Sequence, residues 1–432
     1  MTLSTLTYDP VSGSDTAASG AGPATAITGS AATNGSGNVV NLDGSPDLSG
    51  VSVNDVLWVN LASTVRTLTR ITAVDDGADT VTTEDTLVLS SESWAIGGKR
   101  KTLQADVEYS DISQGKAGWT FSLEDGADYV FATRASASDP IVEITEASTV
   151  ADGPIKVVTA NGANPVILTW SSGGHFLDMA VSSDVEFDGA SSYAGMTIRN
   201  TTSVSVGARF METASSAFLG FKASHLTILC HGLVWQGADA HLMFHQCDLR
   251  SVGADGLDLG GTRVQAILDD VILHNCGASG LISGGGQTGG LSMRGCVVRD
   301  NGASGIKIEG GQKHWLFHIS NNVFHDNTND GIGIKSTINQ DLGPGLLVNN
   351  VFTGNGGYGI TAGSDISGGM NCLLVHYNAF RNNTSGRTNN ITSTNEVILT
   401  ADPYTDESTD DYTTNATAGG GAAMRDAGQG LG

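Results

Sequence analysis

Basic residues are scarce in this 432-residue chain: 21 Lys and Arg face 45 Asp and Glu, a formal net charge of −24. That balance excludes a protein that neutralises nucleic-acid phosphates and argues against an anionic membrane surface, while an acidic coat keeps molecules soluble and apart. Cysteine is sparse as well. Cys230, Cys247, Cys276, Cys296 and Cys372 are odd in number and form no CxxC pair, which excludes a disulfide framework and a zinc site. Buried free thiols, folded in a reducing compartment, are expected instead. No apolar run approaches the ~18 residues of a membrane span. The opening MTLSTLTYDP carries neither the basic nor the apolar stretch of a secretory signal, so cytoplasmic synthesis is expected. Helical periodicity is missing almost throughout. Charged residues are 15 % and apolar residues 39 % of the chain, so general disorder is excluded and a core can form.

Glycine, by contrast, is abundant: 58 residues, roughly twice average usage, without the Gly-X-Y period of collagen. In the C-terminal half it marks a repeat. Gly256-Leu257, Gly280-Leu281, Gly305-Ile306, Gly331-Ile332 and Gly359-Ile360 follow one another at spacings of 24, 25, 26 and 28 residues. Seven residues before each glycine stands an apolar residue, Leu249, Leu273, Val298, Phe324 and Phe352, and Phe380 continues the file. Asparagines recur in two further files, Asn301, Asn327, Asn355, Asn383 and Asn322, Asn350, Asn378. A period near 25 residues with short alternating segments, such as Ile306-Lys307-Ile308-Glu309, implies stacked β-coils in which equivalent residues lie over each other about 4.8 Å apart. Glycine and asparagine then suit tight corners with left-handed backbone angles. The Leu-x-x-Leu-x-Leu framework of a leucine-rich repeat is absent. Less regular coils are expected at Ile141–Ile144, Ile155–Val158, Phe176–Val181 and Leu226–Leu229, giving about 11 coils over residues 101–395.

Residues 1–100 read differently. A Gly/Ser/Ala/Thr-rich stretch over 10–50 precedes a strand at Val56–Val59. A hairpin is expected from Leu68-Thr69-Arg70-Ile71 through Asp75-Asp76-Gly77-Ala78-Asp79 to Thr80-Val81-Thr82. This is a small β-module for attachment, for capping the first coil, or for both. Residues 396–432 form a capping tail, with a last strand at Val397–Leu399 and one helical turn at Ala423–Asp426 closing the open end.

The repeats Asn322-Val323-Phe324-His325-Asp326-Asn327 with Gly331-Ile332, and Asn350-Val351-Phe352-Thr353-Gly354-Asn355 with Gly359-Ile360, resemble the right-handed parallel β-helix of the pectate-lyase-like superfamily. The tail Asp411-Tyr412 to Asp426-Ala427-Gly428 is similar to segments closing such helices in phage and bacterial surface proteins. The resemblance implies an all-β fold. Its phage members imply a homotrimer bound to capsid or tail proteins. Its enzymes imply acidic residues that bind Ca²⁺ with a basic proton abstractor, or the polygalacturonase-like motifs. The nearest matches to those motifs are Asn327-Thr328-Asn329, Asp269-Asp270, Cys230-His231-Gly232 and Gly305-Ile306-Lys307. Each departs from the pattern.

Register offers one candidate catalytic group. Asp300 and Asp326 each lie five residues before their coil's glycine, so they are expected to stack about 5 Å apart, suited to a retaining carboxylate pair or a cation site. Arg299 and His325 precede them, with His274 one coil earlier. The plainer alternative is that Asp-Asn pairs start turns. Asp326–Gly331 fails the EF-hand pattern, because positions three and twelve are Thr328 and Thr337. Glu309 and Lys335 are expected to form a cross-strand ion pair, with Lys307 solvated. Trp235, Trp315, Tyr358 and Tyr377 could stack on sugars or simply pack. His231, His241, His245, His314 and His318 show no metal register.

The resulting expectation is a non-enzymatic structural or display protein of a phage particle, either a capsid decoration protein or a tail fibre or spike. It would be located on the virion, need no cofactor, and bind host surface polysaccharide as its external ligand. The alternatives are a polysaccharide lyase or glycoside hydrolase, with Ca²⁺, and a cell-surface protein.

Overall fold

The computed structural model describes residues 5–8, 25–53, 55–60, 67–97, 120–123, 128–130, 142–144, 154–159, 166–170, 176–179, 184–189, 195–200, 211–212, 218–230, 233–235, 239–259, 263–283, 288–309, 315–334, 345–363 and 373–427. Two compact units emerge: residues 1–201 with 224–226, and residues 202–223 with 227–432.

The first unit contains a closed antiparallel barrel of six strands, Ile27–Asn34, Val39–Asn41, Val56–Val59, Thr67–Asp75, Thr80–Thr83 and Ser90–Ile96. The expected hairpin is present. Asp75 pairs with Thr80 and Val74 with Val81, around a short 3₁₀ turn whose start Asp75 caps through the Ala78 N–H. Trp94, Leu57, Ile71, Val81 and Ile96 fill the barrel. Asp43 fixes a break in the first barrel strand: its carboxylate accepts from Trp94 Nε1 at 2.6 Å and from the Ala31 N–H at 2.9 Å. Those bonds, with others from Ser30, hold it down at about 2. Gly29 sits beneath, where a Cβ would come within 2.2 Å of the Trp94 nitrogen.

Parallel ladders complete this unit. Thr5–Tyr8 pairs with Thr120–Leu123, which pairs with Ile155–Thr159 and onward to Asp184–Asp188. The first described strand therefore belongs to a ladder rather than to the barrel, and the barrel is inserted between two ladder strands. Val166–Trp170 pairs with Met196–Asn200, and Val142–Ile144 with Leu177–Met179.

The second unit is a regular stack of parallel coils. Each circuit visits three sheets. The first holds Asp239–His245, Arg263–Asp269, Thr288–Arg294, Trp315–Ser320, Gly345–Val348 and Leu373–His376. The second runs from Asp248–Ser251 through Ile272–His274, Val297–Arg299, Val323–His325 and Val351–Thr353 to Ala379–Arg381, and ends on Val397–Ile398. The third has seven strands, from Leu233–Trp235 to Gly386–Asn389. Six regular circuits lie between those seven strands, fewer than the 11 coils expected over 101–395. Upstream of residue 201 the in-register spacing is longer, Ile155 to Val185 or Val142 to Leu177, and among the described residues no asparagine column marks the corners.

The apolar file is as the spacing predicts. Leu249, Leu273, Val298, Phe324, Phe352 and Phe380 are consecutive rungs. The three phenylalanines are buried and stack at 4.9 and 5.3 Å, nearly parallel.

Both asparagine files are hydrogen-bonded ladders. Asn301 donates through Nδ2 to Asn327 Oδ1 at 2.8 Å, Asn327 likewise to Asn355, and Asn355 to Asn383. Asn322, Asn350 and Asn378 repeat the pattern. The corner geometry, however, differs from expectation. The left-handed angles belong to the residue before each rung, Asp300, Asp326, Gly354 and Asn382 in one file and Asn321, Asn349 and Tyr377 in the other. That residue turns the chain, and the next side chain then points inward. The glycines of the Gly-aliphatic pairs are not left-handed either. They admit close approach: a Cβ on Gly305 would lie 2.7 Å from the Gly331 carbonyl oxygen of the next coil.

Cysteines occupy ladder positions where asparagine stops. The Cys296 N–H donates to Asn322 Oδ1, and the Cys276 N–H to Asn301 Oδ1. The Cys296 thiol donates to the Leu268 carbonyl at 3.4 Å, as Asn322 Nδ2 does to Met293 one rung on. Cys230, Cys247, Cys276 and Cys296 are buried outside any disulfide, and burial pushes the Cys276 and Cys296 thiols up to about 12. Cys372 lies outside the described residues.

Candidate functional site

The third position of the second sheet points outward and makes one file: Arg250, His274, Arg299, His325, Thr353 and Arg381. Parallel register stacks these groups about 4.8 Å apart, so basic side chains accumulate on one wall of an acidic protein. Bare, such a wall would be solvated. Here Arg299 and His325 are buried, and the cover is the chain's own C-terminal segment.

After Val397–Ile398 the chain leaves the stack as an antiparallel hairpin, Tyr404–Asp406 with Asp411–Thr414. A 3₁₀ turn, Glu407–Thr409, and the left-handed Asp410 form its tip. Arg299 reaches Asp410 at 2.8 Å and pairs with its neighbour Asp300; its guanidinium lies 5.9 Å from the centre of the Tyr412 ring. His325 Nε2 is 3.4 Å from Asp326 and 3.6 Å from Glu407. Its other ring nitrogen shares a hydrogen bond with Thr353 Oγ1, which in turn meets the Tyr404 hydroxyl at 2.8 Å. Tyr404 and Tyr412 pack edge-on to each other and against the His325 ring. Burial raises the Tyr404 hydroxyl above the ordinary phenol range and Tyr412 to about 12, so both act as neutral packing groups.

Below the hairpin, Val351, Ala379, Val397, Leu399 and Tyr404 form an apolar cluster, with Met424 and Ala423 packed on it. The helix Gly421–Ala427 contains the turn expected at Ala423–Asp426. The tail thus runs back along the wall. From the rung of Val397 to that of Arg299 is four steps, about 19 Å.

Further up the wall, Asp248, in the neighbouring outward file, accepts from His274 Nε2 at 2.8 Å and from Arg250 at 2.7 Å. Burial alone would raise this carboxyl, but the His274 and Arg250 hydrogen bonds outweigh it and leave Asp248 at about 2.

All four sequence candidates therefore fall in one neighbourhood. Arg299 and His325 hold the tail. Asp300 and Asp326 are the left-handed corner residues of successive coils, each against the basic residue before it. Among the described residues no three His, Cys, Asp or Glu converge as a metal site would require. The partners that the sequence reading missed are Asp248, Glu407 and Asp410. The one available signal was the acidic cluster Asp406-Glu407 and Asp410-Asp411 in a chain whose basic residues are few. Lys335, the expected partner of Glu309, lies outside the described residues; Lys307 pairs with Glu309 at 2.7 Å.

Residues 211–385 match the family model of the right-handed β-helix region. No curated protein matches the sequence. Among solved structures, a pectate lyase shares 13 % identity at a TM-score of 0.40, covering 69 % of this chain and 77 % of its own. The catalytic domain of an α-1,3-glucanase shares 10 % at 0.32, covering 88 % and 95 %. The tailspike protein of Pseudomonas phage LKA1 shares 12 % at 0.20, covering 79 % and 65 %. With the family match and the ladders in hand, the chain is an all-β protein built on a right-handed parallel β-helix.

Proposed function

We propose that this protein is a structural, non-enzymatic component displayed on a phage particle, a capsid decoration protein or a tail fibre or spike, whose walls meet neighbouring subunits and host surface polysaccharide. The observation that carries the reading is the Arg299–Asp410 contact at 2.8 Å, with His325 beside Glu407. Arg299 and His325, the basic groups that best resembled acid-base machinery, are engaged in anchoring the tail, while Asp300 and Asp326 stand beside them as exposed corner residues. A shaft braced by buried asparagine ladders suits a projecting, load-resistant element. Free thiols buried within the coils suit folding in a reducing cytoplasm before display. The inserted barrel, closed on itself around its own apolar cluster, offers an element for attachment.

The test is whether the polypeptide co-purifies with virions at a fixed stoichiometry. A constant ratio to the major capsid protein across density-gradient fractions supports the reading; absence from intact particles contradicts it. A companion assay on acidic polysaccharides should release neither unsaturated nor reducing ends. Release that is abolished by Asp326→Ala would establish the lyase or hydrolase alternative instead.

A further inference from the structure

His325 is a buried imidazole sealed under the chain's own tail. Two carboxylates face its Nε2, Asp326 of the same coil at 3.4 Å and Glu407 of the hairpin at 3.6 Å. The preceding rung presents Arg299, which is held by Asp300 and by Asp410 of the hairpin. The following rung presents Thr353, whose hydroxyl meets both His325 Nδ1 and the Tyr404 hydroxyl. The rings of Tyr404 and Tyr412 lie 5.6 and 5.5 Å from the imidazole. The next basic members of the file, His274 and Arg381, stand two rungs away on either side, about 10 Å, and His274 is bound to Asp248. One fixed cation, Arg299, thus stands among four carboxylates, and the charge of His325 decides whether there is a second.

We infer that the C-terminal hairpin is a pH-responsive strap, drawn onto the wall when His325 is protonated and loosened when it is neutral. A proton biases the strap only through groups that differ between its docked and undocked states. Asp326, Arg299 and Thr353 belong to the coils and stay beside His325 in either state. Docking adds the Glu407 carboxylate, sets Asp410 against Arg299 so that its charge is offset, and brings up two aromatic rings. Each of these favours an imidazolium. Burial works the other way. Its effect is limited, because the Asp326 and Glu407 side chains keep 52 and 43 % of their surface in solvent and face the ring without being dried. The hydrogen-bond chain admits both states: a neutral Nδ1 accepts from Thr353, a protonated one donates to it, and the Thr353–Tyr404 contact runs in either direction. Docking and protonation therefore favour each other. By linkage the strap is tightest in mild acid and loses that part of its hold as pH rises through the imidazole range. The two tyrosines, both raised by burial, stay neutral throughout. Opening uncovers Arg299 and His325 together with the apolar file of Val351, Ala379 and Val397.

The experiment is amide hydrogen exchange of the full chain at about pH 5.5 and about pH 8, on either side of the imidazole range. Rates are corrected for the intrinsic pH dependence of exchange, and the wild type is compared with His325→Gln and Glu407→Gln. Wild-type protection over 404–414 should fall about fivefold or more between the two pH values, while protection of the coil strands Ile332–Ile334 and Val351–Thr353 holds. In His325→Gln the fall should vanish, because glutamine keeps a partner for Thr353 but takes up no proton. In Glu407→Gln it should shrink by about half or more. A wild-type profile that is flat, or that rises with pH, overturns the inference. So does a fall that persists undiminished in His325→Gln, because another group then carries it. Should His325→Gln fail to fold, Glu407→Gln decides, and a fall of wild-type size there overturns the inference.

Discussion

Arg299, on the second sheet of the coil wall, lies 2.8 Å from Asp410 at the tip of the C-terminal hairpin, although 111 residues separate them in sequence. The contact reverses the meaning of the candidate site. Residues that register assembles into a basic file serve as a dock, and the tail supplies the carboxylates. Asp410 itself is well exposed, so the ion pair alone contributes little. Tyr404 and Tyr412 packed on His325 supply most of the adhesion.

Two changes should separate those contributions. Asp410→Asn should leave global stability within about 0.5 kcal/mol. Tyr404→Ala should cost about 3 kcal/mol, through a lost aromatic contact in an apolar cluster. Amide hydrogen exchange over 404–414 reads the difference: near-native protection in Asp410→Asn, and loss confined to the tail in Tyr404→Ala.

The ladders make a second prediction. Asn350 Oδ1 accepts from the Asn322 N–H and Nδ2, while its own Nδ2 donates to the Ile319 carbonyl. Asn350→Ala strands these buried groups and should cost about 2–4 kcal/mol in denaturant unfolding. Cys296 holds the equivalent place two rungs away. Its thiol donates to the Leu268 carbonyl and accepts from the Val271 N–H. Cys296→Asn should therefore be close to neutral, and Cys296→Ala should cost about 1–3 kcal/mol.

The barrel provides a pH signature. Asp43 stands at about 2 against an ordinary 3.8, held down first by Trp94 Nε1–H and then by the Ala31 and Ser30 N–H groups. A carboxyl depressed on folding stabilises the native state above its unfolded value, and that stability disappears as pH falls through its folded value. The melting difference between wild type and Asp43→Asn should hold steady above about pH 5 and close between about 4 and 2. A gap that persists at pH 2 would mean that the carboxylate charge is not what braces the strand.

The repeat was readable because each coil reuses the same residue types at nearly fixed spacing. The leucine-to-phenylalanine file, the glycines and both asparagine files all follow from intervals of 24 to 28 residues. Corner chemistry was only half readable. Spacing identifies Asn301 and Asn322 but does not show that the residue before each carries the left-handed turn. The cysteine rungs were within reach, since Cys276 stands three residues after Leu273 as Asn301 does after Val298. The folded-back tail was not. A single hairpin has no repeat to align, and its docking depends on outward residues, which periodicity treats as solvent-facing. Thr5–Tyr8 likewise finds its parallel partner more than 100 residues later, with no local pattern to announce the pairing.

Placement of every outward residue rests on vertical register, and disulfide mapping in the third sheet tests it most directly. Lys307 is opposite Ile282 on the adjacent rung, and Ile282 is opposite Asp258. Neighbouring rungs are about 4.8 Å apart and alternate rungs about 10 Å, while a disulfide spans Cα separations of about 4.4–6.8 Å. Ile282→Cys with Lys307→Cys should form an intramolecular bridge detectable by peptide mass spectrometry under mild oxidation, and Asp258→Cys with Lys307→Cys should not. A bridge in the second pair and none in the first would contradict the register, and with it the assembly of the basic file.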